Sequence, residues 1–279
     1  QLIPFKPSVY ISLELKGIIS LDENEVEVLP STMISDIIDY LKKRGKALPV
    51  YPSSYNISTI AGFIEGGSGG PGSFKYGTHF RTLLKEVKVV AKGQFTLRGK
   101  DVLGVTHAWG TTGVITRLKL RTVDYVDYSL QYVEVGGIEE LKKKIMELFK
   151  MRDHINLVSI YNNCLFERLF KENVNKKWVL VFSSDLPLSH ELNKDERISF
   201  ATTIQWDFKW FHGKLYVSDL DILNSINDGL IHAEVIYDYY SDSPLILVDH
   251  FSNSSFFKEI KYLSLRERLM AVSYTHLTL

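Results

Sequence analysis

Between Tyr51 and Gly77 the chain reads Y-P-S-S-Y-N-I-S-T-I-A-G-F-I-E-G-G-S-G-G-P-G-S-F-K-Y-G, with six glycines from Gly66 onward. Glycine lets backbone N–H groups approach a ligand with no Cβ in the way, and a run of them can bend into an anion-holding concavity. The chemistry such a stretch suits is the holding of a phosphate-bearing cofactor. A flexible linker has the same composition. Against a linker stand Phe63, Ile64, Phe74 and Tyr76, which solvated chain has no reason to carry, and the sheet-like sequence that follows at once. A second side-chain-poor bend lies at Gly110-Thr-Thr-Gly-Val-Ile-Thr116.

Other reactive residue types do not assemble into a motif. The histidines at 79, 107, 154, 190, 212, 232, 250 and 276 show no H-x-x-x-H or H-E-x-x-H spacing, so no metal site is expected. His107, just before the second bend, is the most interesting of them, although a surface or core imidazole is the simpler reading. Asp219 with Asp221, and Asp238 with Asp242, read as solvated turns before they read as acid and base pairs. Lys142-Lys-Lys144 suits a solvated helix face, and Trp206, Phe208, Trp210, Phe211 and Tyr216 suit an ordinary core. Cys164 is the only cysteine, which excludes an internal disulfide and fits a reducing, cytoplasmic setting.

The elements that must position the two bends follow from periodicity. Ser8–Leu15 and Glu25–Leu29 alternate as strands. Ser31 is placed to cap a helix whose apolar stripe is Met33, Ile34, Ile37, Ile38 and Leu41, with Lys42, Lys43 and Arg44 in its last turn and Gly45 as its stop. Leu48–Pro52 is extended. Glu86–Val90 and Gln94–Leu97 form a hairpin around Lys92-Gly93, and Val114–Val123 is a strand. The order implies an α+β layer and not a doubly wound parallel sheet. Asp124–Tyr128 breaks the pattern and marks a domain boundary. Beyond it come a strand at Ser129–Val135, a helix at Gly137–Met151, strands at Ile155–Ile160 and Trp178–Phe182 around a short helix near Leu165–Phe170, a strand at Leu245–Val248 and a helix near Phe256–Leu269. Together these predict an antiparallel sheet covered by helices.

Read together, Pro52-Ser-Ser54, Thr59-Ile-Ala-Gly62, Gly66-Gly-Ser-Gly-Gly70, Tyr76-Gly77 and Gly110–Thr116 resemble, in order and spacing, the FAD-binding domain of the vanillyl-alcohol-oxidase (PCMH) type. This is the domain of the FAD-linked oxidases, which include glycolate and D-lactate dehydrogenase subunits. The likeness covers residues 1–123. It implies that Ser53, Ser54, Ser58 and Thr59, with Pro52, Ile60 and Gly62, meet the diphosphate and ribityl oxygens. It further implies that Gly66, Gly67, Ser68 and Gly69 pass close to diphosphate and flavin, with Tyr76 and Gly77 completing the loop. Gly110, Thr111, Gly113, Val114 and Ile115 would close the other side, the last two with main-chain groups and an apolar wall. Ala61 stands where the family usually has glycine, and Trp109 where an acidic or small residue is common. The family's first glycine-rich loop would precede Gln1, so residues 1–123 are expected to be the C-terminal part of the FAD domain and to hold only part of the cradle. Residues 124–271 are expected to be an incomplete substrate-binding cap domain, with the catalytic base beyond it. Residues 272–279 resemble a sequencing-adapter scar of the kind seen in environmental gene fragments.

The implied activity is FAD-dependent oxidation of a 2-hydroxy acid such as glycolate or lactate. Alditol or aldonolactone oxidation on the same fold is the enzymatic alternative, and a cofactor-free relative acting as a subunit is the non-enzymatic one. Other oxidase subunits are possible partners. Lys+Arg and Asp+Glu both number 33, so no net field draws nucleic acid or an anionic surface. No apolar run reaches the length of a membrane span.

Overall fold

The structure is a computed structural model and describes residues 12–52, 55–66, 69–170, 172–192, 231–238, 242–251 and 270–271. In chain order the elements of the first part are β1 (Ile18–Leu21), β2 (Glu25–Val28), α1 (Ile34–Lys42), β3 (Lys46–Ala47), α2 (Ile60–Gly66), α3 (Ser73–Tyr76), α4 (His79–Thr82), β4 (Leu84–Val90), β5 (Gln94–Arg98), a 3-10 turn (Gly99–Gly104), β6 (Val114–Arg121) and β7 (Val123–Asp124). They continue with β8 (Ser129–Val135), α5 (Ile138–Lys150), a 3-10 turn (Arg152–His154), β9 (Ile155–Asn162), α6 (Asn163–Phe170), β10 (Trp178–Ser184), β11 (His190–Glu191), β12 (Ile231–Asp238), β13 (Ser243–Phe251) and β14 (Met270–Ala271). By their contacts these fall into two units, residues 1–68 with 79–125 and residues 69–78 with 126–279.

The first unit is an antiparallel sheet in the order β1-β2-β6-β4-β5. Alternation sends Val26, Val28, Val87, Val89, Leu118 and Leu120 into one core, where they meet Ile34, Ile37 and Leu41 of α1 and Ile60 and Ile64 of α2. Between β4 and β6 the register slips, with Lys88 opposite Arg117 but Val89 opposite Ile115. Thr116 is the extra residue, and such a bulge bends the strand that carries it. Its hydroxyl donates to the Lys88 carbonyl at 3.1 Å.

Two expectations for this unit are corrected. Ser31 does not cap α1, because Met33 occupies the cap position and makes no side-chain bond there. The Ser31 hydroxyl donates instead to the Leu13 carbonyl, and the first N–H groups of α1 are satisfied from elsewhere: Ile34 donates to the Ser58 carbonyl and Ser35 to that of Tyr55. The expected first strand also shifts. Residues 8–11 lie outside the described residues, and 12–15 form no strand, with Leu13 and Leu15 exposed. Ile18–Leu21 heads the sheet in their place.

In the second unit the sheet order is β11-β8-β10-β9-β12-β13-β14, antiparallel throughout except for the β13–β14 pair. One face packs Val135, Val158, Ile160, Leu180, Phe182 and Val235 on Leu141, Ile145 and Leu148 of α5. The opposite face packs Leu130, Tyr161, Val179 and Val181 on Phe166 and Phe170 of α6, whose rings stack at 4.8 Å. With both faces covered, every residue of β10 is buried, which is why Trp178–Phe182 reads as one unbroken apolar run. The chain is thus an α+β molecule with helices on antiparallel sheets. The strand Ile231–Asp238 is an addition to what the sequence predicts, and the helix expected near Phe256–Leu269 lies outside the described residues. Among the described residues no helix is long and apolar enough to cross a membrane.

Candidate functional site

The first bend is organised by α2. Thr59 caps it, its Oγ1 accepting the Gly62 N–H at 3.3 Å, while the Ile60 N–H donates to the Thr32 carbonyl at 3.0 Å and that of Ala61 to Pro30 at 3.1 Å. A helix N-terminus holds anions only where such donors are unspent. Here those of residues 60 to 62 are spent on the protein itself.

The C-terminal end of α2 behaves differently. The backbone N–H of His107 donates to the Ile64 carbonyl at 2.9 Å and that of Trp109 to Glu65 at 3.1 Å, so the second loop satisfies carbonyls at the end of the helix. To do so it turns through the left-handed region three times, at His107 (φ +56), Trp109 (φ +56) and Gly110 (φ +72). Two of those three residues are not glycine, and such conformations persist where the surroundings impose them. The bends at Gly66 and Gly110 therefore converge within one unit. A Cβ at Gly66 would meet nothing within 4 Å, and one at Gly110 only Glu65 Oε2 at 3.6 Å. Residues 109–112 are exposed. The result is an open, side-chain-poor rim that a flat or extended ligand fits.

The remaining expected site residues are distributed as follows. Pro52 is buried, and Ser53, Ser54, Gly67 and Ser68 lie outside the described residues. The Thr111 hydroxyl donates to the Ala108 carbonyl at 2.6 Å. A Cβ on Gly113 would come within 2.5 Å of Val89 Cγ1 and 3.0 Å of the Val90 carbonyl, so β4 alone accounts for the glycine there. Ile115 is in the core and cannot supply the expected apolar wall with its side chain, whereas Val114 is exposed. Gly69, Tyr76 and Gly77 belong to the second unit, where Phe74 is buried in the α5-side core and a Cβ on Gly77 would stand 3.0 Å from the Tyr237 carbonyl. Trp206, Phe208, Trp210, Phe211, Tyr216, Asp219, Asp221 and the tail 272–279 lie outside the described residues.

Two arrangements escaped the sequence reading. Glu65 is half-buried at the junction of the bends, and burial raises its carboxyl above the ordinary glutamate range. An acid next to a glycine run was legible, but its position against Gly110 was not. In the second unit, β-sheet register sets His232 opposite both Tyr161 and His250, and Glu234 opposite Ser159. Among the described residues the buried hydroxyls of Ser159 and Ser183 have no hydrogen-bond partner. Spacing along the chain gives no hint of this row, since strand pairing brings it together. Among the described residues no group of three or more His, Cys, Asp or Glu is placed to hold a metal.

Residues 3–97 match the family model for the FAD binding domain. The glycolate oxidase subunit GlcD of Bacillus subtilis (strain 168) is 31% identical over 127 residues, covering 41% of this chain and 27% of that protein. The chain thus spans about a quarter of the curated relative's length. Among solved structures, alkyldihydroxyacetonephosphate synthase in P1 superposes with a TM-score of 0.60 at 14% identity, over 81% of this chain and 58% of that one. The same enzyme in P212121 gives 0.51 at 14% identity, over 68% and 39%. These structural likenesses show the fold. The matched domain indicates that FAD is the cofactor, and over part of its length the chain is similar to a subunit of an FAD-linked oxidase.

Proposed function

We propose that the protein oxidises a 2-hydroxy acid of the glycolate or lactate class with FAD. The observation that supports this most is the hanging of the Gly110 loop from α2 by the His107 and Trp109 N–H groups, which brings the two glycine bends together on one exposed, side-chain-poor rim. FAD, when bound, supplies a two-electron acceptor, and the protein's share is binding, orientation and electrostatics. In the reaction the substrate's carbinol C–H leaves with its electron pair and the hydroxyl proton leaves to a base, so the alcohol carbon becomes a carbonyl. The Gly66 and Gly110 bends hold one side of the cofactor, and Ser53, Ser54, Ser58 and Thr59 are the candidates to meet its diphosphate and ribityl oxygens. Residues 1–123 act as the FAD domain and 124–271 as part of the cap that selects substrate. The relative's description as a subunit supports assembly with other oxidase subunits.

Ala61, the departure that would favour a cofactor-free protein, packs against the core of the first unit. The test is anaerobic. The complete gene product, purified with FAD, is mixed with glycolate, D-lactate, an alditol and an aldonolactone, and bleaching of the flavin band is followed. Bleaching by the hydroxy acids alone is expected. Bleaching only by the sugar-derived substrates moves the activity to the alternative class, and absence of a flavin band after reconstitution removes the enzymatic reading.

A further inference from the structure

The carboxyl of Glu65 is half-buried, yet among the described residues it has neither an ion-pair nor a hydrogen-bond partner. The Ile64 carbonyl next to it is the group that is taken up: His79 Nε2 lies 3.3 Å from that oxygen, and the backbone N–H of His107 donates to it at 2.9 Å. Beside the carboxylate is the exposed backbone of Gly110, whose N–H is also uncommitted among the described residues and whose missing Cβ would sit 3.6 Å from Glu65 Oε2. An acceptor thus stands next to a donor on an open rim. A lone carboxylate repels phosphate, and the spent donors at the other end of α2 offer phosphate nothing. A hydroxyl would satisfy Glu65 but has no need of a fixed N–H alongside. A heterocycle edge matches both, since such an edge sets a ring N–H or amino donor beside a ring acceptor.

Resting on the FAD reading, we propose that Glu65 and the Gly110 N–H form an acceptor and donor pair that grips the edge of one of the cofactor's heterocycles. Adenine and isoalloxazine both carry an edge of this chemistry. Partial burial strengthens such a bond relative to one in water, and loss of a charge-assisted hydrogen bond is worth about tenfold or more in affinity.

The experiment measures dissociation constants of the complete purified gene product for FAD, FMN and ADP by fluorescence and calorimetry, for the unaltered chain, Glu65→Ala and Glu65→Gln, with circular dichroism as the check on folding. About a tenfold loss of FAD affinity is expected in Glu65→Ala, with Glu65→Gln between it and the unaltered chain because a neutral amide oxygen is the weaker acceptor. A parallel loss for FMN but not ADP identifies the isoalloxazine edge, and a parallel loss for ADP but not FMN the adenine edge. Should the unaltered chain bind FAD and both variants bind it equally well, or should all three ligands weaken alike, the pairing is wrong and the flavin reading stands. Should the unaltered chain fail to bind FAD at all, the flavin reading falls and takes the pairing with it.

Discussion

Trp109 donates its backbone N–H to the carbonyl of Glu65 at 3.1 Å, which ties a loop more than forty residues downstream to the last turn of α2. That bond and its neighbour from His107 hold the two glycine bends side by side. The geometry of the rim therefore depends on a strained turn as much as on the glycines themselves.

Relief of that strain is measurable. His107 is exposed at φ +56, where a residue with a Cβ loses about 1–2 kcal/mol relative to right-handed backbone. His107→Gly removes the strain but adds freedom to the unfolded chain, so a net gain of about 0.5–1 kcal/mol is expected in urea unfolding. Trp109→Gly gains less, because its ring packs edge-on against His107 and that contact is lost. Destabilisation by His107→Gly would show that the imidazole, and not the backbone, holds the turn.

Gly113 answers to β4. An alanine there would put its methyl 2.5 Å from Val89 Cγ1 and 3.0 Å from the Val90 carbonyl at φ +153. Backbone cannot yield as a flexible side-chain end does, and overpacking combined with an unfavourable φ costs about 2–4 kcal/mol. Thermal unfolding of Gly113→Ala should show a correspondingly lower midpoint. An unchanged midpoint would mean that the β4–β6 bulge adapts.

Glu65 gives the fold a pH dependence. Well below the ordinary glutamate range it is protonated in both the folded and the unfolded chain, and burial has no electrostatic cost. As pH rises the unfolded chain ionises first, so stability falls until the raised folded-state pKa is passed. Glu65→Gln should therefore be near neutral at about pH 4 and stabilising at about pH 8, as read from urea midpoints of both proteins at each pH. A gain confined to acid would invert the assignment.

In the second unit one buried amide pins a loop. Gln131 Oε1 accepts the N–H groups of Leu188 and Ser189, both at 2.8 Å, and its Nε2 donates to the Leu186 carbonyl at 2.6 Å and to Ser129 Oγ at 2.8 Å. Gln131→Leu fills the space but strands these groups, at a cost of about 2 kcal/mol or more. Faster hydrogen exchange at the amides of Leu188 and Ser189 is expected, and unaltered protection there would show that the loop is held by other contacts.

What the chain determined unaided is what depends on neighbours in sequence. The 34/37/41 stripe of α1, the 141/145/148 stripe of α5, the hairpin of β4 and β5 and the side-chain-poor bends follow from local periodicity and from the steric freedom of glycine. Tertiary structure decided the rest. Ser31 has the chemistry of a cap, but the carbonyls of Tyr55 and Ser58 reached α1 first. The N–H groups of Ile60, Ala61 and Gly62 look from sequence like free donors at a helix start, yet Thr32, Pro30 and Thr59 accept them. Gly66 and Gly110 meet, and Tyr161 pairs with His232, because hydrogen bonds between distant segments set those distances. Local sequence fixes which conformations a segment prefers, whereas the partner of each backbone donor is settled only when the whole sheet and its helices compete for it.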